Sequence, residues 1–409
     1  MSKSSAMKNT SQLTKREEDM KYATRYVKPI LGAIGAWPVS FSSSFMSKIL
    51  LRTEHILTYF LFFLIIVPTI MYVFFKEKNN KIRLKLMGPI INCTMQFCKY
   101  TILLWRTNEV QKGLDVMKQD WITATDENRL IFRSKAKIAR RVVLTAAITM
   151  YGGGLCYRTI LPLLKGPIIT PDNITIRPLP CPSYFVILDE QKSPNYEILF
   201  LVQILAGFVI YAVISGSCGL SALFVLHACS MLRILVDKMK ALVDMRDMSD
   251  TMVQRRIMDI VEYQTKIKRF LKNIETITEY ICLTEMMGGT CLVCLVGYYI
   301  LMEWENNNIA AVLIYVTLQI SCTFCVFILC YIGQLLIDEN QIVGQASCMI
   351  NWYHLSSKHM RSLILIIAMS NYPMKLMAGK MIEMSLATFT GVSIRKSNSR
   401  YQILSRYLI

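Results

Sequence analysis

Residues 198–226 read ILFLVQILAGFVIYAVISGSCGLSALFVL, a run without one charged side chain. The hydrocarbon core of a bilayer, about 30 Å thick, is crossed by about 20 apolar residues in a helix, because nothing in lipid satisfies a free backbone group. This run is long enough to cross. Residues 56–75 and 309–337 are equally uncharged, and residues 86–105, 142–164 and 281–302 carry one internal charge apiece in Lys99, Arg158 and Glu285. Each of these three lies towards an end of its span, and none has an evident partner. They are read as side chains snorkelling to the headgroups.

Working outward, the run 363–369 is too short to span and is followed by Pro373, so a short cytoplasmic helix is expected there. Residues 385–409 are long enough to cross but contain Arg395, Lys396, Arg400 and Arg406. A helix that polar cannot face lipid on all sides, which leaves it either outside the membrane altogether or inside it, packed on protein and bordering water.

Composition agrees with a lipid environment: 53% of residues are hydrophobic against 18% charged, and the mean hydropathy is +0.38. The polar segment from Met1 to Lys28 places Lys15, Arg16, Glu17, Glu18 and Asp19 where a signal peptide needs an apolar core, so no cleavable leader is expected. The net charge of +18 does not point to nucleic acid, since the basic residues are distributed between apolar runs. Sorted by seven crossings, 32 Lys and Arg fall on the side of the N-terminus and 12 on the other, which puts the N-terminus in the cytoplasm.

The expected fold is therefore an all-α membrane protein with seven transmembrane helices, a cytoplasmic N-terminus, an extracellular C-terminus and long cytoplasmic helical extensions. Its organisation is a cytoplasmic segment 1–55, spans one to four over 56–226, and a cytoplasmic amphipathic helical loop over 227–280. Spans five and six follow over 281–337, then a cytoplasmic helical anchor over 338–384 and the polar seventh span over 385–409.

In the loop before the fifth span, Val253, Ile257, Ile260, Ile267, Leu271 and Ile274 recur at helical spacing. That stripe is open to two readings, packing as an extension of a span or contact with another subunit. Asn173-Ile174-Thr175 is a glycosylation acceptor in an outward loop. Thirteen cysteines sit mostly in apolar runs, and the four histidines are scattered. Cys291 and Cys294 are read as small apolar packing rather than half of a metal site. No nucleophile with a base, no phosphate loop, no metal cluster and no cofactor signature is evident, so no enzyme is expected.

The C-terminal third has an ordered pattern: Gly333-Gln334-Leu335-Leu336, Asn351-Trp352, Pro373, Leu376-Met377-Ala378-Gly379-Lys380, Ser385-Leu386-Ala387-Thr388-Phe389 and Ile394-Arg395-Lys396-Ser397. It resembles the insect odorant receptor family, and length, span layout and inverted topology extend the resemblance along the chain. The resemblance implies a subunit of a tetrameric, ligand-gated, non-selective cation channel whose seventh span lines the pore. It places the protein in the plasma membrane of olfactory sensory neurons. The shared co-receptor of the family has a longer loop after the fourth span, so this chain resembles an odour-tuning subunit working with that co-receptor in a heterotetramer. By the family motif, Ile403 falls at the narrow hydrophobic gate and Arg406 just outside it. Asn398 and Arg400 depart from the aromatics usual there, and four positive charges on a pore helix are unfavourable for cations, which argues against a homotetramer.

The resemblance further implies that a small, mostly apolar volatile binds in the outer half of the bundle. Candidates at that depth are Met95, Tyr151, Tyr157, Phe200, Phe208, Tyr211, Tyr298 and Tyr315. Gly152, Gly153, Gly154 and Gly207 either bring helices close or leave room for a ligand. A metabotropic seven-helix receptor is the alternative, opposed by the charge balance, and a membrane transporter is a further one, opposed by the lack of paired acids in the spans.

Overall fold

The computed structural model describes residues 18–38, 44–166, 168–169, 175–185, 189–243, 250–350, 357–371 and 374–391. Short helices α1 (18–24) and α2 (Val27–Gly32) precede the long ones. These are α3 (Phe45–Met71), α4 (Asn80–Trp105), α5 (Thr107–Thr123) and α6 (Asp126–Leu155). After the short α7 (Leu161–Lys165) come α8 (Asn195–Val243), α9 (Asp250–Glu305), α10 (Ile309–Cys348) and α11 (Ser357–Ser370). Two π-helical turns, Tyr72–Lys76 and Cys156–Ile160, end α3 and α6. Among the described residues sheet is confined to two antiparallel hairpins of two-residue strands, β1 (Ile168–Ile169) with β2 (Thr175–Ile176), and β3 (Met377–Ala378) with β4 (Ile382–Glu383). The chain is a helical membrane protein.

Among the described residues four helices, α3 with its π turn, α8, α9 and α10, are long and apolar enough to cross a membrane. The helices over the second and third sequence spans, α4 and α6, are more polar. The apolar run that opens the sequence reading is the axis of the bundle: every residue from 210 to 232 on α8 is buried, packed by α2, α3, α4, α6, α9 and α10. A helix that is apolar all round is one buried all round, so protein as much as lipid accounts for its composition.

The compartment boundaries drawn at 226, 280 and 337 fall inside α8, α9 and α10, which run on unbroken past them. The stripe Val253, Ile257, Ile260, Ile267, Leu271 and Ile274 is buried within the chain, where α9 meets α5, α8 and α11. It is intramolecular packing. Cys291 and Cys294, by contrast, are exposed on α9 rather than packed.

Here three acidic side chains tie distant segments together. Asp120 on α5 accepts from His227 of α8 at 3.0 Å and from Lys266 of α9, Arg129 reaches Asp19 at 2.5 Å, and Lys135 reaches Glu339 at 2.6 Å. Burial works to raise the Asp120 pKa, but the hydrogen bonds and charges of His227 and Lys266 outweigh it and hold the carboxyl below 3.8.

The described part of the C-terminal motif proves to be a knot. The Gly379 N–H donates to Glu279 O on α9 at 3.2 Å, Met384 N–H to Leu376 O at 2.9 Å, and Leu386 N–H to the Gln334 side chain on α10 at 3.3 Å. Gly379 and Lys380 take left-handed φ values of 58° and 57° in the hairpin turn, and a Cβ on Gly333 would lie 2.0 Å from Met384 O. The segment before residue 392 is thus clamped to the middle of α9 at Glu279 and to α10 at Gly333 and Gln334.

Candidate ligand-binding site

On α4, Gly88, Asn92, Met95 and Gln96 fall on one face at steps of three and four, with Lys99 one step beyond. On α9, Glu285, Gly289, Leu292, Val296 and Tyr299 do the same. The two faces confront each other across a cavity completed by Met150 and Gly154 of α6, Tyr157 and Arg158 of its π turn, Tyr211 and Ile214 of α8, and Leu318, Ser321, Cys322 and Cys325 of α10. Its lining is mainly apolar with a few polar groups, as small-molecule sites are. About 70 Å³ of it admits the centre of a water-sized sphere, where one water needs about 10–15 Å³. Along the bundle it lies towards the end closed by the Lys85–Glu303 ion pair at 2.5 Å, the half that the charge balance assigns to the outside.

Local sequence builds this space. A Cβ on Gly153 would meet Ser321 Oγ at 2.4 Å and one on Gly154 the Tyr211 ring at 2.1 Å, so these two glycines bring α6 against α10 and α8. Gly207 serves a different purpose, since its Cβ would lie 2.9 Å from Arg158 Cδ, and Gly152 faces open space. The π turn that follows, a distortion often found at functional sites, carries Tyr157 and Arg158 to the cavity wall. Above them Tyr157, Tyr315 and Tyr299 pack in series, with ring centroids 6.0 and 5.6 Å apart, and the Tyr299 hydroxyl donates to Leu84 O at 2.7 Å.

The span charges do not snorkel. Lys99 is fully buried and paired with Glu285; Arg158 is 4% exposed and donates from Nε to the Tyr211 hydroxyl at 3.2 Å. Sequence position suggested span ends, but both α4 and α6 turn these residues inward, where a charge needs a partner. Glu285, read as unpaired, is that partner for Lys99.

Of the eight sequence candidates, the structure gathers Met95, Tyr157 and Tyr211 on the cavity wall. Tyr151 stands behind, its ring 5.8 Å from both Tyr211 and Phe208; Tyr315 backs Tyr157 and Tyr299. Phe200 packs on Tyr196, 6.0 Å between centroids. Phe208 and Tyr298 face outward, 43% and 38% exposed. Asn173, Ile403 and Arg406 lie outside the described residues, as does most of the seventh span. Sequence reasoning missed Asn92, Gln96, Arg158, Glu285 and Tyr299. The signal was present: the polar stripe of α4 and the Glu285 stripe of α9 follow the helical period, and an ionisable residue within a span is a functional candidate by default. Among the described residues no group of three or more His, Cys, Asp or Glu side chains is placed to hold a metal.

Residues 83–393 match the family model described as 7tm Odorant receptor. Odorant receptor 13a of Drosophila melanogaster is 20% identical over 285 residues, 66% of this chain and 67% of that one. Odorant receptor 82a of the same organism is 29% identical over 219 residues, and the match spans about half of each, 52% and 54%. The insect olfactory receptor OR5 from Machilis hrabei has a similar fold, with a TM-score of 0.75 at 13% identity over 94% of this chain and 99% of that one. Its structure in complex with eugenol gives 0.78 at 12% identity, over 95% and 99%.

Proposed function

Given that this chain belongs to the odorant receptor family, a family of receptors rather than enzymes, we propose that it is an odour-tuning subunit. In this reading it binds a small, mostly apolar volatile in the cavity between α4, α6, α8, α9 and α10, and opens a non-selective cation channel together with the co-receptor in a heterotetramer. It sits in the plasma membrane of olfactory sensory neurons, crossing it seven times with the N-terminus inside. Ile403 forms the pore gate and Arg406 stands just outside it.

The observation that carries this reading is the cavity itself: a mainly apolar space within the bundle, walled by Met95, Tyr157, Tyr211, Leu292 and Val296. The Machilis hrabei receptor, similar in fold, has been solved with eugenol, and a small organic ligand here is consistent with it. A ligand burying about 250 Å² of apolar surface gains at most about 6 kcal/mol at roughly 25 cal/mol per Å², so affinity in the range of tens of micromolar and broad tuning are expected.

The test is co-expression with the family's co-receptor and recording of currents against an odorant panel, for the natural chain and for Leu292→Trp, which fills the cavity. Loss of response or a shift of about tenfold or more in potency is expected at unchanged surface expression. Unchanged tuning at normal expression refutes the cavity as the ligand site.

A further inference from the structure

We propose that the preferred ligands of the cavity carry a carboxylate on an apolar skeleton, and that the Arg158 guanidinium is the group that receives it. This rests on the cavity being the ligand site. Arg158 is a buried cation on the cavity wall with its hydrogen bonding incomplete. Nε donates to the Tyr211 hydroxyl, and Nη2 reaches only Cys93 Sγ, at 3.8 Å, a weak acceptor. Nη1 has no partner among the described residues. No described acid pairs with the guanidinium, and Glu285, the acid on the same wall, is taken by Lys99. The wall therefore carries one uncompensated positive charge in a medium of low dielectric.

A neutral acceptor such as an ester or alcohol oxygen can satisfy the free N–H but leaves that charge in place. A carboxylate does both, and the planar fork of an arginine matches its two oxygens. The side chain is also held ready: its stem runs past Gly207, where any Cβ would lie 2.9 Å from Cδ, and Tyr211 fixes Nε. The rest of the wall, Met150, Leu292, Val296 and Leu318, suits the hydrocarbon portion. A purely structural arginine, clamping Tyr211, predicts instead that all ligands suffer alike when it is replaced.

The probes are butanoate, hexanoate, octanoate, decanoate and phenylacetate at neutral pH, each against the alcohol of the same carbon skeleton, applied to the receptor co-expressed with its co-receptor. In the natural chain at least one acid is expected to be about ten- to a hundredfold more potent than its alcohol, the range of a charge-assisted hydrogen bond. Arg158→Met should bring each acid to within about threefold of its own alcohol, whatever the variant does to the alcohol response itself, and Arg158→Lys should retain part of the preference. Silence to every acid, no acid exceeding its alcohol, or an equal loss for both in Arg158→Met overturns the proposal. The natural-chain comparison decides the matter even if Arg158→Met fails to reach the surface. Alcohol responses that Leu292→Trp removes, alongside no acid preference, refute the carboxylate inference and leave the cavity standing. Responses indifferent to Leu292→Trp refute both.

Discussion

Removing one member of the Lys99–Glu285 pair should cost far more than removing both. The two side chains are 0% and 6% exposed, so either survivor is left charged in the interior of the bundle. Breaking a buried pair from one side costs about 3–5 kcal/mol, whereas replacing both members by uncharged residues of similar size is often close to neutral. Lys99→Met and Glu285→Gln are therefore each expected to destabilise by that amount, and the double variant to return within about 1 kcal/mol of the natural chain. The two singles should also differ. After Lys99→Met, Glu285 remains on the cavity wall with Arg158, which offsets part of its charge. After Glu285→Gln, Lys99 and Arg158 are two positive charges without a described acid between them. At an effective dielectric of about 20, charges on the order of 10 Å apart interact by roughly 1–2 kcal/mol, so Glu285→Gln should be the worse variant by about that much. For a chain of this size 1 kcal/mol moves the melting temperature by about 1–2 °C. Thermal melts of the detergent-purified receptor, read as the loss of the monodisperse chromatographic peak, should show both singles falling by roughly 3–10 °C and the double recovering. Additive losses in the double variant refute a direct pair.

Asp120 leads to a pH prediction. Its carboxyl is held below 3.8, so the stability it adds is complete above the unfolded value of about 3.9 and is lost as pH falls through the lower folded value. Asp120→Asn should cost about 1.5–3 kcal/mol at neutral pH, and its melting temperature should converge on that of the natural chain below about pH 4. Gly333→Ala forces a Cβ to within 2.0 Å of Met384 O, a backbone atom that cannot swing aside; surface expression should fall at least severalfold, and normal expression would falsify the close packing of the C-terminal knot. For topology, a tag at Ile409 should be reachable by antibody on intact cells and a tag at Met1 only after permeabilisation, and the reverse pattern contradicts the charge-based orientation.

Helix existence and type were legible in the sequence because apolar length is a strong signal: each of the six internal runs corresponds to a long helix. What lay hidden was which side of each helix faces protein. The α8 run is uniformly apolar, so it contains no periodicity to reveal that it is the axis of the bundle. Conversely, the Val253 to Ile274 stripe is strongly periodic, but a stripe reports only that a face is covered, and its cover comes from the preceding helix α8 and from α5 and α11, both far away in sequence. The outward placement of Phe208 and Tyr298 has the same origin, since an aromatic at a given depth can face lipid or cavity with equal ease.

The three span charges show where the sequence argument went astray and why the site follows from its correction. Distance along the chain from a span end is a one-dimensional measure, and it assigned Lys99, Arg158 and Glu285 to the headgroups. Their rotational positions say otherwise: Lys99 lies on the face defined by Gly88, Asn92 and Gln96, and Glu285 on the face defined by Gly289, Leu292 and Val296. Two helices that each carry one opposite charge on the stripe richest in small and polar residues have few ways to bury both except by facing each other. That pairing sets the rotation of α4 against α9, and with it which side chains line the space between them. Arg158 reaches the same space through a π turn that no periodicity would reveal, and it finds no anion there among the described residues.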